Sequence, residues 1–233
     1  YLRNSQPGKA LGILEPVLDK IDKDSNMLAL AGQVFLQNGQ IDKAGTYFAQ
    51  AAALDPKNPG KRTSLAMVNM VKGDSDVAFR DLEQVAAADP GNRADLALIA
   101  AHLQRREFDA ALKAIAALEK KQPDNPLTYN LRGTALLGKR DIAGARKSFD
   151  KALALNAAYF PAAANLANLD LIEKKPEEAR KRFEAVLVKD PKNVQAFLAL
   201  AEMRAKSGGT TEEIAALIGK AVGTAPGTGT PTS

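Results

Sequence analysis

The sequence predicts an all-α protein, a solenoid of stacked antiparallel helix pairs. Three observations predict it. Turn-like dipeptides fall at Asp55-Pro56, Asp89-Pro90, Gln122-Pro123, Asn156-Ala157, Asp190-Pro191 and Ala225-Pro226, in steps of 34, 33, 34, 34 and 35 residues. A period of this size is the mark of a repeat array. Within each period a small residue is followed four places later by a large apolar one: Ala44/Phe48, Ala78/Leu82, Ala111/Ile115, Ala145/Phe149 and Ala179/Phe183. An i,i+4 pair shares one helix face, so the small member admits a neighbouring helix and the large one fills the gap. A second apolar stripe at helical spacing precedes it, as in Leu28, Ala31, Gly32 and Phe35, or Tyr129, Gly133 and Leu136, or Phe197, Leu200 and Ala201.

The composition agrees. The chain has 233 residues, 45% hydrophobic and 25% charged, and is rich in alanine, which favours helix. There is no Cys, so disulfides and Cys-ligated metals are excluded. The net charge is +5, and basic clusters such as Arg180-Lys181-Arg182 stand beside acids. They read as solvated helix faces. A nucleic-acid groove needs stacking rings, and aromatics are only 5% of the chain. No apolar run is long enough to span a bilayer, and no signal peptide is recognisable.

Taken in order, residues 1–24 read as the end of one helix and a full second helix over 6–22, with Ala10, Leu14 and Val17 in packing positions. The chain opens at Tyr1 in mid-repeat, which reads as a piece of a longer protein. Six repeats follow at 25–58, 59–91, 92–125, 126–159, 160–193 and 194–227. Turns rich in Gly, Lys, Asp or Asn, such as Asn38-Gly39 and Lys72-Gly73-Asp74, separate the two helices of a pair. The proline of the punctuation is expected in the first turn of the next helix. The stretch GTAPGTGTPTS (223–233) reads as disordered, with 228–233 a flexible tail.

This grammar resembles the tetratricopeptide repeat. Residues 25–58 supply its pattern with Leu28, Ala31-Gly32, Phe35, Ala44, Phe48, Ala51 and Pro56. The resemblance implies a right-handed α-α superhelix with a concave groove lined by the first helix of each repeat. Departures fall at Arg62 and Asp95, where a bulky apolar residue is usual, at Ile99, where a small one is usual, and at Ala157, which replaces proline.

The resemblance also nominates groove positions. They hold Asn26, Gln33 and Gln37; Thr63, Met67 and Met70; Arg93, Leu96 and Gln104; Asn130 and Thr134; Asn165 and Asn168; and Gln195 and Glu202. The set is rich in amides, which both donate and accept hydrogen bonds and so suit a peptide backbone or sugar hydroxyls. Met67 and Met70 offer adaptable apolar contact. The competing reading makes Asn165 and Asn168 repeat-consensus residues with no dedicated ligand. A carboxylate clamp for chaperone tails would need Lys and Arg where Asn130, Thr134 and Asn165 stand.

Catalytic chemistry is not expected, and neither is a cofactor or a metal. The single His102 occupies a packing position, and one His without Cys makes a His/Cys metal site or a nucleophilic triad very hard to build. Glu177-Glu178 and Glu212-Glu213 open second helices, where they complement the dipole. GTALLGKR (133–140) nearly spells a phosphate loop, but Arg140 replaces the required hydroxyl and the stretch is helical.

Three phrases go further: YLRNSQPGKALGILEPVL, KQPDNPLTYNLRGTALLGKRD and YFPAAANLANLDLIEKKPEEARKRFEAVL. Together they resemble the tetratricopeptide lipoproteins of the bacterial exosortase, or PEP-CTERM, sorting system. That resemblance implies a periplasm-facing place in the cell envelope, a lipid anchor outside these residues and a link to exopolysaccharide. The function expected is a non-catalytic scaffold binding a protein or peptide in the groove, without nucleic acid. The alternatives are a polysaccharide-associated module and a structural spacer. The aromatic poverty weighs against a sugar groove.

Overall fold

The computed structural model describes residues 6–73 and 75–224, and every regular element among them is helical. They gather into two compact units, one ending at Lys121 and the other starting at Gln122. The tail expected over 228–233 lies outside the described residues, as does the punctuation at Ala225-Pro226.

The first unit begins with α1 (Pro7–Leu14), which runs directly into a 3₁₀ segment (Glu15–Lys20). The continuous helix expected over 6–22 is therefore interrupted. Pro16 is the reason: it has no N–H to give to an α ladder, and its ring crowds the carbonyl four residues back. The tighter 3₁₀ turn accommodates it in the first turn, and Leu14 and Ile21 still reach the core. Asn38 ties this end down by donating to Pro7 O at 3.0 Å and Val34 O at 2.8 Å.

Six helices complete the unit: α2 (Ser25–Gln37), α3 (Ile41–Leu54), α4 (Pro59–Lys72), α5 (Ser75–Ala88), α6 (Arg93–Gln104) and α7 (Phe108–Lys121). The second unit repeats the plan with α8 (Pro126–Gly138), α9 (Ile142–Leu155), α10 (Phe160–Ile172), α11 (Pro176–Lys189), α12 (Val194–Lys206) and α13 (Thr211–Thr224). Each even-numbered helix from α2 onward pairs with the helix after it.

The small–large pairs form the cores. Ala44/Phe48, Ala78/Leu82, Ala111/Ile115, Ala145/Phe149 and Ala179/Phe183 are all buried. Two glycines show how closely the paired helices approach. A Cβ on Gly32 would stand 2.7 Å from the Phe48 ring, and one on Gly133 would be driven into the Phe149 ring. Repeat three solves the same contact differently. Ile99 and Ile115 occupy the equivalent sites, and both are fully buried. The large residue on the first helix is matched by a shorter one on the second.

The turn inside each repeat is equally regular. Residues 39, 73, 106, 140, 174 and 208 all adopt positive φ: Gly39, Gly73 and Gly208, but also Arg106, Arg140 and Lys174 at 59–63°. Each left-handed residue ends its first helix. In five of them the following N–H reaches back five residues in Schellman fashion, as from Glu107 to His102 O, Asp141 to Leu136 O and Lys175 to Asp170 O.

The punctuation prolines sit elsewhere than expected. Pro56 lies in the turn after α3, not in the first turn of α4. The prolines that open first helices are Pro59 and Pro126 at the first position and Pro161 at the second. Four first helices are capped by the side chain of the Asn or Asp before them: Asp24 accepts from Asn26 N and Met27 N, Asn58 from Lys61 N, Asn125 from Leu127 N and Asn193 from Ala196 N.

Candidate functional site

The first helices place the nominated residues unevenly. In the first unit Asn26, Gln33 and Gln37 project from α2 and are exposed. With Leu30, Ser64, Met67 and Arg93 they line a hollow of about 470 Å³. A second hollow of about 550 Å³ shares Met67 and adds Met70, Val71, Phe79, Ala97, Ala100, Gln104 and Arg105. Met67 thus borders both hollows, the first amide-lined and the second largely apolar. Leu96 is half-buried.

Thr63, nominated for the groove, is a correction. It is buried, and its hydroxyl donates to Pro59 O at 2.7 Å. A threonine satisfied by its own helix can face a core, so position alone misled. The departures at Arg62 and Asp95 also resolve. Arg62 is half-buried and donates to Gln84 Oε1 at 3.2 Å. Asp95 is 3% exposed and holds Lys121 Nζ at 2.8 Å. That ammonium also donates to Ala86 O at 2.5 Å and Asp89 O at 2.9 Å, so one cation closes the α5–α6 turn. Lys61 does similar work, buried between Asp55 Oδ2 and Ser25 Oγ, each at 2.7 Å. Its hydrogen bond holds the Asp55 carboxyl below the usual carboxylate range. Lys61 also lines the first hollow, which reading the sequence missed. The available signal was a lysine at a register position that is otherwise apolar or small.

In the second unit the nominated residues partly satisfy one another. Asn165 Nδ2 donates to Asn130 Oδ1 at 3.0 Å, and Thr134 Oγ1 donates to Asn130 O at 3.1 Å. Asn168 is exposed at the edge of a hollow of about 240 Å³ with Phe183, Met203, Glu202 and Lys206. Gln195 is exposed on α12. Glu202 is paired with Lys206 at 2.6 Å.

The residues with chemical potential are engaged in structure. His102 is buried, stacks on Phe79 with ring centroids 4.7 Å apart, and its Nδ1 meets Glu107 Oε2 at 2.8 Å. That hydrogen bond, followed by Arg105, keeps the Glu107 carboxyl below its ordinary range. Asp170 stands at the matching place in repeat five. It is 3% exposed and held by Arg146 at 2.8 Å and Arg182 at 3.1 Å. Arg146 also reaches Glu173 at 2.7 Å. Glu177 and Glu178 pair with Arg180 and Lys181. Glu213 forms a reciprocal cap with Thr210 and binds Arg204. Gly133 of the near phosphate loop lies inside α8 against Phe149. Among the described residues no three His, Asp or Glu side chains gather as metal ligands.

Similarities to known proteins fall in line with this architecture. The chain is 26% identical over 146 residues to BBSome complex member BBS4 of Bos taurus, covering 62% of this chain and 28% of that protein. The chain thus spans under a third of that curated relative. The structure of the APC/C hetero-tetramer Cut9-Hcn1 superposes with a TM-score of 0.60 at 18% identity, over 96% of this chain and 44% of that one. A Pseudomonas aeruginosa pilF structure also gives 0.60 at 18%, over 84% and 88%. At such identities the structural likenesses speak for the fold alone. The signature of the family described as tetratricopeptide repeat matches residues 1–59, 64–126 and 165–227. The chain, an all-α array of helix-turn-helix repeats, belongs to the tetratricopeptide repeat family, whose domains are non-catalytic scaffolds.

Proposed function

We propose that this chain is a scaffold that holds extended segments of partner proteins on the faces of its first helices. The observation that carries this reading is the exposed row Asn26, Gln33 and Gln37 beside Met67 in the first unit. Amides can pair with the peptide groups of an extended segment, and methionine adapts to varied side chains. The names of two similar proteins support it: one is a member of a complex and the other part of a hetero-tetramer. Asn130, Thr134, Asn165, Asn168 and Gln195 would offer the second unit a contact surface of its own. The setting we propose for this work is a bacterial envelope system for protein sorting and exopolysaccharide, facing the periplasm; the likeness of three phrases to exosortase-associated lipoproteins is what suggests it.

Affinity capture from an envelope extract of the native organism tests the reading, with proteins and glycans both analysed. The wild-type chain runs beside a Gln33/Gln37/Met67→Ala variant and an Asn130/Asn165/Asn168→Ala variant. A protein retained by the wild type and lost by either variant is expected. A retained glycan without protein would favour the polysaccharide-associated alternative, and no capture at all would favour a spacer.

A further inference from the structure

The linings of the hollows differ in charge. Among the described residues no Asp or Glu lines either hollow of the first unit, whereas each carries cations. Lys61 and Arg105 are neutralised by Asp55 and Glu107, which stand outside the linings. Arg93 is different. It is exposed and donates to the neutral Ser64 Oγ at 2.8 Å, with no carboxylate in ion-pair range among the described residues. In the second unit the hollows carry both signs. Arg180 is held by Glu177 and Glu184, and Lys206 by Glu202, and these acids share the linings.

From this asymmetry we infer that the first unit binds an acidic peptide segment carrying a bulky apolar side chain. The inference rests on the scaffold reading above and narrows it. The apolar side chain enters the hollow of Met70, Val71, Phe79 and Ala97. A neighbouring carboxylate takes a charge-assisted, bidentate hydrogen bond from Arg93, and Gln33 and Gln37 pair with the intervening backbone. An anionic ligand meets no like charge along this path, whereas a basic one would meet Arg93. Met67 borders both hollows, so they are neighbours and one short segment lying across Met67 contacts both.

The test is selection from a random peptide display library on the full chain and on its Arg93→Glu variant. Selected peptides are then synthesised and titrated by fluorescence anisotropy at low and high salt. Arg93 is exposed, so the variant should fold, and matching melting curves confirm it. The expected result is enrichment of Asp or Glu beside a large apolar residue. Binding should weaken at least about tenfold in Arg93→Glu, be partly kept in Arg93→Lys and fall with salt. Selected peptides without acidic enrichment, or binding indifferent to Arg93→Glu, would overturn the inference and leave the peptide-scaffold reading standing. Failure to select any peptide, with a protein still captured and lost on Asn130/Asn165/Asn168→Ala, would overturn it in the same way. Failure of both experiments would remove the scaffold reading as well.

Discussion

Repeats three and four meet the same packing requirement with opposite residues. In repeat four Gly133 lies under the Phe149 ring, so close that no side chain fits between them. In repeat three Ile99 replaces the small residue and Ile115 the aromatic, and both are fully buried. A residue that departs from the family pattern is therefore not a weak point by itself. What is specified is the volume of the pair, because a packed core tolerates redistribution of volume better than its gain or loss. The position occupied by Phe35 in repeat one follows the same rule with different chemistry. There a ring stacks on Tyr47 at 5.2 Å; in repeat five Asp170 is clamped by two arginines. The register asks for a tie between helices, and either a stack or an ion pair supplies it.

The comparison can be broken most severely at the rings. Phe149→Ala should cost about 4 kcal/mol, because Gly133 offers nothing to fill the cavity, and Ile115→Ala somewhat less, about 3 kcal/mol. Urea unfolding followed by circular dichroism measures both, and equal losses would count against the pairing. Next comes Asp170→Ala, which leaves Arg146 and Arg182 without their buried partner and should cost about 3 kcal/mol. An Arg146→Met addition should recover part of that loss.

A smaller effect is expected at the turns. Arg140→Gly should raise stability by about 0.5–1 kcal/mol, since only glycine adopts positive φ without strain. Gly39→Ala should lower it by a similar amount, and its thermal melt is the check. The smallest effect is electrostatic. Glu173 is held below its ordinary range by hydrogen bonds from Lys175 first and Arg146 second. The unfolded chain then binds the proton more readily, so this contribution is present above the ordinary carboxyl range and is lost as pH falls below about 4. Glu173→Gln should flatten the acid limb of the stability curve, and an unchanged limb would contradict it.

Much of the fold was legible because the repeat states it six times. Ala44/Phe48 and its counterparts could be read as core from spacing alone, and each is buried. The break at Pro16 was also written in the sequence, but an apolar period that ran through it masked the change to a 3₁₀ turn. Partners distant in sequence were not legible. Asp95 stands out as an oddity, yet nothing local says that Lys121, one helix later, will neutralise it. The nominated surface positions were found by register, which places Gln33, Gln37, Met67 and Met70 on the hollows of the first unit. Register cannot see that Thr63 would turn its hydroxyl onto Pro59, or that Asn130 and Asn165 would bond to each other. Those outcomes depend on which polar partner lies within reach once the helices have docked.

The claim that volume is specified by pairs is tested most directly by a double-mutant cycle on Gly133→Ile and Phe149→Ile, read from urea unfolding of the full chain. Alone, Gly133→Ile overpacks the contact and Phe149→Ile opens it; together they write the pair that repeat three already uses. The account predicts that the double variant is more stable than the sum of the single losses allows, by about 2 kcal/mol. Losses that add to within about 0.5 kcal/mol would contradict it.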